Sequence, residues 1–416
     1  MRQIKLFALL CWLISPVHIA LADVPISSLP ILSSNPALPQ LAQNILLEYP
    51  ALQAAKADYN AALAQQRAAD QPLYNPELEI DIEKTAINTS SLGIKQSIDW
   101  SDKRGAQASA GQASAMAAQA QWRQMQIDVL SELLTQLSQY VNAGAQAKLA
   151  KQRVALLDNF YQLAKQRYEA GDVAQSDVDL ARMALSEAQM QAAEVSSNAN
   201  AAAVNLLSFT AQPALGWPGL PELPKPWQPV DNAQLLSKLP AVKQAFWQFK
   251  SSQAELTLAR RQSHADPSIG LRGGKDADES LLGFNFSISL NIRNNFKAEI
   301  QASAARSISA EQNWIQTRRL AKAQLDSASI RYQLTYAALQ DWKSAGLASL
   351  QGQTQLLKQL WESGELSTTE YLVQLQQTLN TRSSAINLQQ SAWDAWIDWL
   401  KAAAQIHHWL ALNTQP

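Results

Sequence analysis

One cysteine, Cys11, stands among the 416 residues, and it precedes the A-x-A stretch Ala20-Leu21-Ala22. A chain cut at that stretch has no disulfide, no thiolate metal site and no cysteine nucleophile. Charge is also scarce: 17% of residues are charged, against about 25% in ordinary domains. The charges balance, with 34 basic and 35 acidic residues and a net charge of −1. This excludes the basic excess of a nucleic-acid binder and a polyacidic tail. With only 14 glycines, interior breaks in long helices are expected to be rare. No stretch after residue 22 holds about 20 consecutive apolar residues, so no transmembrane helix is expected. What is present is 47% hydrophobic residues, abundant alanine and glutamine, which are good helix formers, and an uncharged polar remainder of serine, threonine and asparagine. Length alone suggests about two or three domains.

Met1-Arg2-Gln3-Ile4-Lys5 forms a basic start and Leu6 to Ile14 an apolar core, too short to span a bilayer. With Ala20-Leu21-Ala22, residues 1–22 read as a signal peptide cleaved after Ala22, and 23–37 as an N-terminal extension. Leu9-Leu10-Cys11 offers a lipoprotein reading, but it leaves too little apolar stretch before the cysteine. The chain is expected to be exported.

The remainder is one unit used twice. Tyr49-Pro50-Ala51-Leu52 answers to Leu239-Pro240-Ala241-Val242, and Asn75-Pro76 to Asp266-Pro267. Leu92-Gly93-Ile94 answers to Leu282-Gly283-Phe284, and Tyr168-Glu169-Ala170-Gly171 to Trp361-Glu362-Ser363-Gly364. The copies stay about 190 residues apart, which is the signature of an internal repeat. Residues 38–211 form repeat 1 and 233–411 repeat 2. The stretch 212–232, with Pro213, Pro218, Pro221, Pro224, Pro226 and Pro229, reads as an extended linker.

Each repeat begins with a short helix and a second one opened by proline, Pro50 or Pro240, a good first-turn residue. The period then becomes two. Leu78, Ile80 and Ile82 alternate with Glu79, Asp81 and Glu83, and Leu92 and Ile94 with Gly93 and Lys95. This predicts strands over about 77–84 and 91–100, and over about 268–274 and 281–292. Proline-free runs follow from Gly105 to Glu169 and from Lys297 to Glu362. They predict two long coiled-coil hairpins, over about 105–209 and 297–410. Each long helix would run roughly 100 Å, too long for a globular core and suited to a packed helical tube.

The strands can pack on a soluble core or face lipid. Export, and helices far longer than the sheet, favour lipid. Four strands cannot close a membrane barrel, which needs about eight, and open edges in lipid are forbidden. An oligomer is then required; three chains would supply about twelve strands. The acidic face with Glu79, Asp81 and Glu83 would line a water-filled lumen, and Trp100 would sit at the membrane interface.

The duplicated unit resembles the TolC-type outer-membrane efflux factors over essentially the whole mature chain. Asn75-Pro76-Glu77-Leu78-Glu79-Ile80, Gln96-Ser97-Ile98-Asp99-Trp100-Ser101-Asp102-Lys103-Arg104 and Ser289-Leu290-Asn291-Ile292-Arg293-Asn294-Asn295 resemble the branch serving heavy-metal pumps, the cobalt-zinc-cadmium and copper-silver efflux proteins. That branch has Gly-Gly-Lys-Arg where this chain has Ser101-Asp102-Lys103-Arg104, and a Pro-Leu-Phe-Asn-Arg stretch where it has Leu290-Asn291-Ile292-Arg293. These departures touch the substrate branch rather than the fold.

The resemblance implies a mainly α fold with a small membrane β part: a homotrimer with a 12-stranded β-barrel and a long periplasmic α-helical barrel. It implies an outer-membrane location, a periplasmic membrane-fusion adaptor and an inner-membrane efflux pump as partners, no cofactor, no nucleic acid, and passage of solute without chemistry. It places Gly171, Asp172, Val173 and Gly364, Glu365, Leu366 at the adaptor-facing hairpin tips. It makes Asp177 and Glu370 candidates for the periplasmic aperture. Both glycines also suit a left-handed helix end, and Ser367-Thr368-Thr369-Glu370 suits a capping box. Ala174 replaces the serine in repeat 1 while Asp177 stays, which capping alone does not explain.

Other features carry less. Trp393, Trp396 and Trp399 suit helix packing. His407 and His408 are adjacent on a helix and point apart, and Gly270 to Lys275 fails the phosphate-loop spacing. Nothing resembles a catalytic constellation, so no enzyme is expected. An exit duct for drugs or secreted proteins, or a soluble coiled-coil scaffold, are the alternatives.

Overall fold

The computed structural model describes residues 37–84, 88–210, 216–226, 232–346, 350 and 352–412. The expected signal peptide, with Cys11, lies outside the described residues. The fold is mainly helical with one small sheet. Repeat 1 contains α1 (Ala37–Glu48), α2 (Pro50–Ala69), β1 (Glu77–Lys84), β2 (Asn88–Ser97), α3 (Lys103–Glu169) and α4 (Gln175–Asn205). Repeat 2 contains α5 (Asn232–Lys238), α6 (Pro240–Gln262), β3 (Pro267–Asp276), β4 (Glu279–Ile288), α7 (Lys297–Asp341), α8 (Gln353–Glu362), α9 (Thr368–Ala402) and a last turn, α10 (Ile406–Trp409).

Pro50 and Pro240 open α2 and α6 in the first turn, where the missing N–H is not needed. Helix α3 has 67 residues, about 100 Å at 1.5 Å per residue, and packs against α2, α4, α6 and α9. One seam is apolar. Ile127, Leu130, Leu133, Leu134 and Leu137 are buried against Trp393, Trp396, Trp399 and Trp409. The next turns of the α3–α9 contact are polar. Ser138 donates to Asp394 at 3.0 Å, Asn142 to Gln390, and Gln146 to Asn387 at 2.9 Å. Spacing of four keeps these donors on one face. Trp217, Leu220 and Leu223 of the proline-rich linker lie on the same core, and the Tyr332 hydroxyl donates to the Pro224 carbonyl.

The second long run is not one helix. After Asp341 the chain makes a wide π turn at Trp342–Gly346, and Gly352, at φ 80°, immediately precedes the helix that starts at Gln353. The absence of proline made this run look continuous. The glycines break it instead: each costs about 1 kcal/mol in a helix interior, and the Trp342 ring lies 2.2 Å from where a Gly346 Cβ would stand.

The four strands form one antiparallel sheet in chain order, β1-β2-β3-β4. The central pairing, β2 with β3, joins the two repeats. The last strand ends fall short of the sequence reading. Ile98 donates its N–H to the Pro267 carbonyl as a final rung, and Asp99 then turns to cap α3, leaving Trp100 outside the sheet. In repeat 2 the ladder stops at Ile288, so Leu290 and Ile292 follow it as exposed loop residues.

Candidate functional site

Strand register gives the sheet two unlike faces. Across one run the rows Leu78, Ile94, Leu271, Phe284 and Ile80, Leu92, Gly273, Leu282, continued by Ile269, Phe286 and Ile288. The large side chains of this face are 38–85% exposed within the single chain. Such an area of uncovered apolar surface on a soluble protein needs a partner or a membrane. Strands of eight and ten residues match the length of membrane-spanning β-strands. No described helix is long and apolar enough to cross a membrane.

The opposite face carries Glu77, Glu79, Asp81, Glu83, Asp276 and Glu279 against Lys95 and Arg272. The expected lumen residues Glu79, Asp81 and Glu83 therefore share one face. Lys95 lies 3.5 Å from Glu77 and 3.6 Å from Glu79; half-exposed pairs of this kind add little stability. Lys95 falls on the polar phase of the alternation, as read from the sequence; Arg272, on the same face, was not singled out there. Among the described residues strands β1 and β4 each pair on one side only, so both sheet edges are open there.

Where the sheet meets the helices, the motif from Gln96 to Arg104 makes a rigid corner. The Asp99 carboxylate accepts the N–H groups of Lys103 and Arg104, both at 2.8 Å. Asp102 takes a left-handed backbone, φ 56°, which aspartate tolerates better than most residues. Its carboxylate accepts from the Gly105 N–H at 3.1 Å and pairs with Arg261 at 2.6 Å. Lys103 and Asp266, 12% and 6% exposed, pair at 2.9 Å, and Tyr74 donates to the same Asp266 oxygen. That hydrogen bond and burial push the Tyr74 phenol up to about 12. Trp100 is 63% exposed and anchored by its indole N–H on the Ala265 carbonyl at 2.9 Å.

At the far end of the helices, α3 and α8 close with the same turn. Gly171 and Gly364 have φ 86° and 79°. The N–H groups of Asp172 and Glu365 return to the carbonyls of Arg167 and Leu360, at 2.8 and 2.9 Å, in two Schellman turns. Gly171, Asp172, Gly364 and Glu365 are exposed; Val173 and Leu366 are half-buried. The two turns are tied together. Arg167 donates to the Trp361 carbonyl at 3.0 Å and its guanidinium lies 4.9 Å from the Trp361 ring centre. Phe160 packs on Trp361 and on Tyr371, with ring centres 4.6 Å away in both cases. This aromatic knot was not foreseen, since its members come from three separate helices.

Both candidate aperture acids work as caps. Glu370 accepts from the Ser367 N–H at 2.9 Å and its hydroxyl at 2.8 Å. Those bonds hold its carboxyl below the usual range. Asp177 accepts from the Ala174 N–H at 3.1 Å. The carboxylate half of the box needs only a backbone donor, so capping does account for Asp177 opposite an alanine, contrary to the sequence argument. The Trp393, Trp396 and Trp399 rings are buried packing groups. His407 is half-buried and His408 exposed. Among the described residues no three metal-ligating side chains converge.

Residues 41–212 match the family model described as outer membrane efflux protein. No curated protein matches the sequence. The fold is similar to that of CusC, studied for folding and transmembrane channel formation: 17% identity, 90% of this chain, 93% of that chain, TM-score 0.77. It is also similar to the outer-membrane channel OprN, with 18% identity, 89% and 90% of the two chains, and TM-score 0.77. The outer membrane protein VceC of Vibrio cholerae matches with 15% identity, 89% and 96%, and TM-score 0.75. At such identities the likeness is one of fold. In sequence over its first repeat this chain is similar to the outer membrane efflux proteins, and in fold over nine-tenths of its length it is similar to the solved channels CusC and OprN.

Proposed function

We propose that the chain is the outer-membrane channel subunit of a tripartite efflux system, a passive exit duct. The observation that carries this reading is the sheet: one face with an apolar, uncovered band from Ile269 and Phe286 to Ile80 and Leu282, the other acidic, and both edges open. Lipid satisfies the first face and water the second. Only further copies of the chain satisfy the edges, because an unpaired strand edge cannot face hydrocarbon. Three copies give about twelve strands, a barrel with room for a lumen. The long helices continue that lumen into the periplasm. There the exposed turns at Gly171-Asp172-Val173 and Gly364-Glu365-Leu366 meet a membrane-fusion adaptor, and through it an inner-membrane pump. Asp177 and Glu370, next to those turns, line the periplasmic aperture while capping their helices.

Heavy-metal cations are the proposed cargo. The resemblance of Asn75–Ile80 and Gln96–Arg104 to the metal branch supports this. The acidic lumen face supports it too, since a surface of one sign concentrates the opposite ion. A duct for organic compounds keeps the same architecture. Growth of a deletion strain on zinc, cobalt, cadmium, copper and silver salts, beside dyes, bile salts and antibiotics, separates the two. Selective metal sensitivity is expected; sensitivity to organic compounds alone would reassign the cargo. Native mass in detergent tests the assembly, and a monomer would defeat the barrel.

A further inference from the structure

We propose that Arg272 is a clasp between neighbouring copies, reaching over the open β4 edge to the acidic β1 strand of the next chain. The inference rests on the duct reading and adds to it a residue-level lock. Arg272 lies in the row Glu79, Gly93, Arg272, Gly283 on the acidic face. It stands between two residues without side chains, so its own chain leaves it two directions. Over Gly93 it would approach Glu79. It takes the other: its Nε lies 2.8 Å and its Cγ 3.1 Å from where a Gly283 Cβ would stand. The side chain is thus draped across β4, the last strand, towards open solvent. Among the described residues its guanidinium makes no ion pair, while Lys95 already serves Glu77 and Glu79.

A second copy completes this arrangement. The open edge of β4 and the open edge of β1 are the two that must meet when the sheet closes on itself. A strand added to β4 lies about 4.8 Å further on, a gap that the guanidinium and a carboxylate side chain span together. That strand is the most acidic in the molecule. Two of its carboxylates, Asp81 and Glu83, have no cation in their own chain among the described residues. Arginine matches a carboxylate in a planar two-bonded fork, and Gly283 keeps the path clear. The occupant is therefore the β1 strand of a second copy, with Asp81 or Glu83 as the acceptor.

The test follows trimer survival of the full chain in dodecyl maltoside, by native mass across a temperature series. Arg272→Glu should lower the midpoint of dissociation, Arg272→Gln should lower it less, and Asp81→Arg or Glu83→Arg placed in the Arg272→Glu chain should restore it. If Arg272→Glu never assembles, Arg272→Gln carries the comparison. Wild-type midpoints in both Arg272 variants, with or without altered channel conductance, would make Arg272 a lumen residue only and overturn the clasp. So would a lowered midpoint that neither reversal restores. A wild-type chain that is monomeric would instead sink the duct reading itself.

Discussion

Single residues at the corner between sheet and helices carry more than their exposure suggests. At Asp102 the left-handed backbone is the demand and the side chain is the bonus. Glycine meets the first without the second, and a β-branched residue meets neither. Asp102→Gly should therefore lower the thermal midpoint slightly, by the few tenths of a kcal/mol of a cap change. Asp102→Val should cost about 1–2 kcal/mol more. Equal midpoints for the two variants would show that the backbone demand is absent. The Lys103–Asp266 pair is a different case, because both groups are buried. Asp266→Ala leaves the Lys103 ammonium without its partner and should cost about 3 kcal/mol. Replacing both, as Lys103→Met with Asp266→Leu, should recover most of that. A double-mutant cycle read by chemical denaturation checks the sign.

The elements show what could be read beforehand and what could not. Period two in Leu78 to Glu83, and proline at 50 and 240, spelled out strands and helix starts, because those signals are local and backbone-driven. The break between α7 and α8 escaped notice: a helix tolerates single glycines, and nothing local says that Gly346 lies under the Trp342 ring or that Gly352 takes a left-handed backbone. The knot of Phe160, Trp361 and Tyr371 was equally invisible, since tertiary contacts choose among aromatic residues that all look like ordinary helix core. The Glu370 capping box was legible in Ser367-Thr368-Thr369-Glu370 and is formed, whereas the matching bond of Asp177 to Ala174 was not, because no capping side chain announces it. Two predictions belong at this scale. Trp361→Ala empties the knot and should cost about 3–5 kcal/mol; faster proteolysis near the two glycine turns, with the sheet unaffected, is the expected readout. His407, on the last short helix, is pushed down to about 4 by burial and by the nearby Arg123. The unfolded chain binds that proton at about 6.5. Stability is then complete above about 6.5 and falls as the pH drops towards 4. His407→Phe should flatten that part of the pH profile, and an unchanged slope would exclude the imidazole as its source.

For the whole molecule, the two repeats are not two domains. Their strands share one sheet, their long helices share one core, and the linker lies across that core through Trp217, Leu220, Leu223 and Pro224. The bond from Ser97 to Ser268 joins residues 171 positions apart, and that from Thr89 to Asp276 joins residues 187 apart. Such pairings set the pace of folding, because distant segments must meet before any contact rewards them. The sheet is therefore a late event. A nascent chain holding only β1 and β2 is a single hairpin, which is marginal on its own, with an apolar side that has nowhere to go. A chain ended after Gln262 should accumulate with periplasmic folding helpers or proteases and never reach the membrane fraction. The central β2–β3 seam thus ties the apolar face to the second repeat: the face is whole only once β3 has joined β2, whatever the fate of the first hairpin before then.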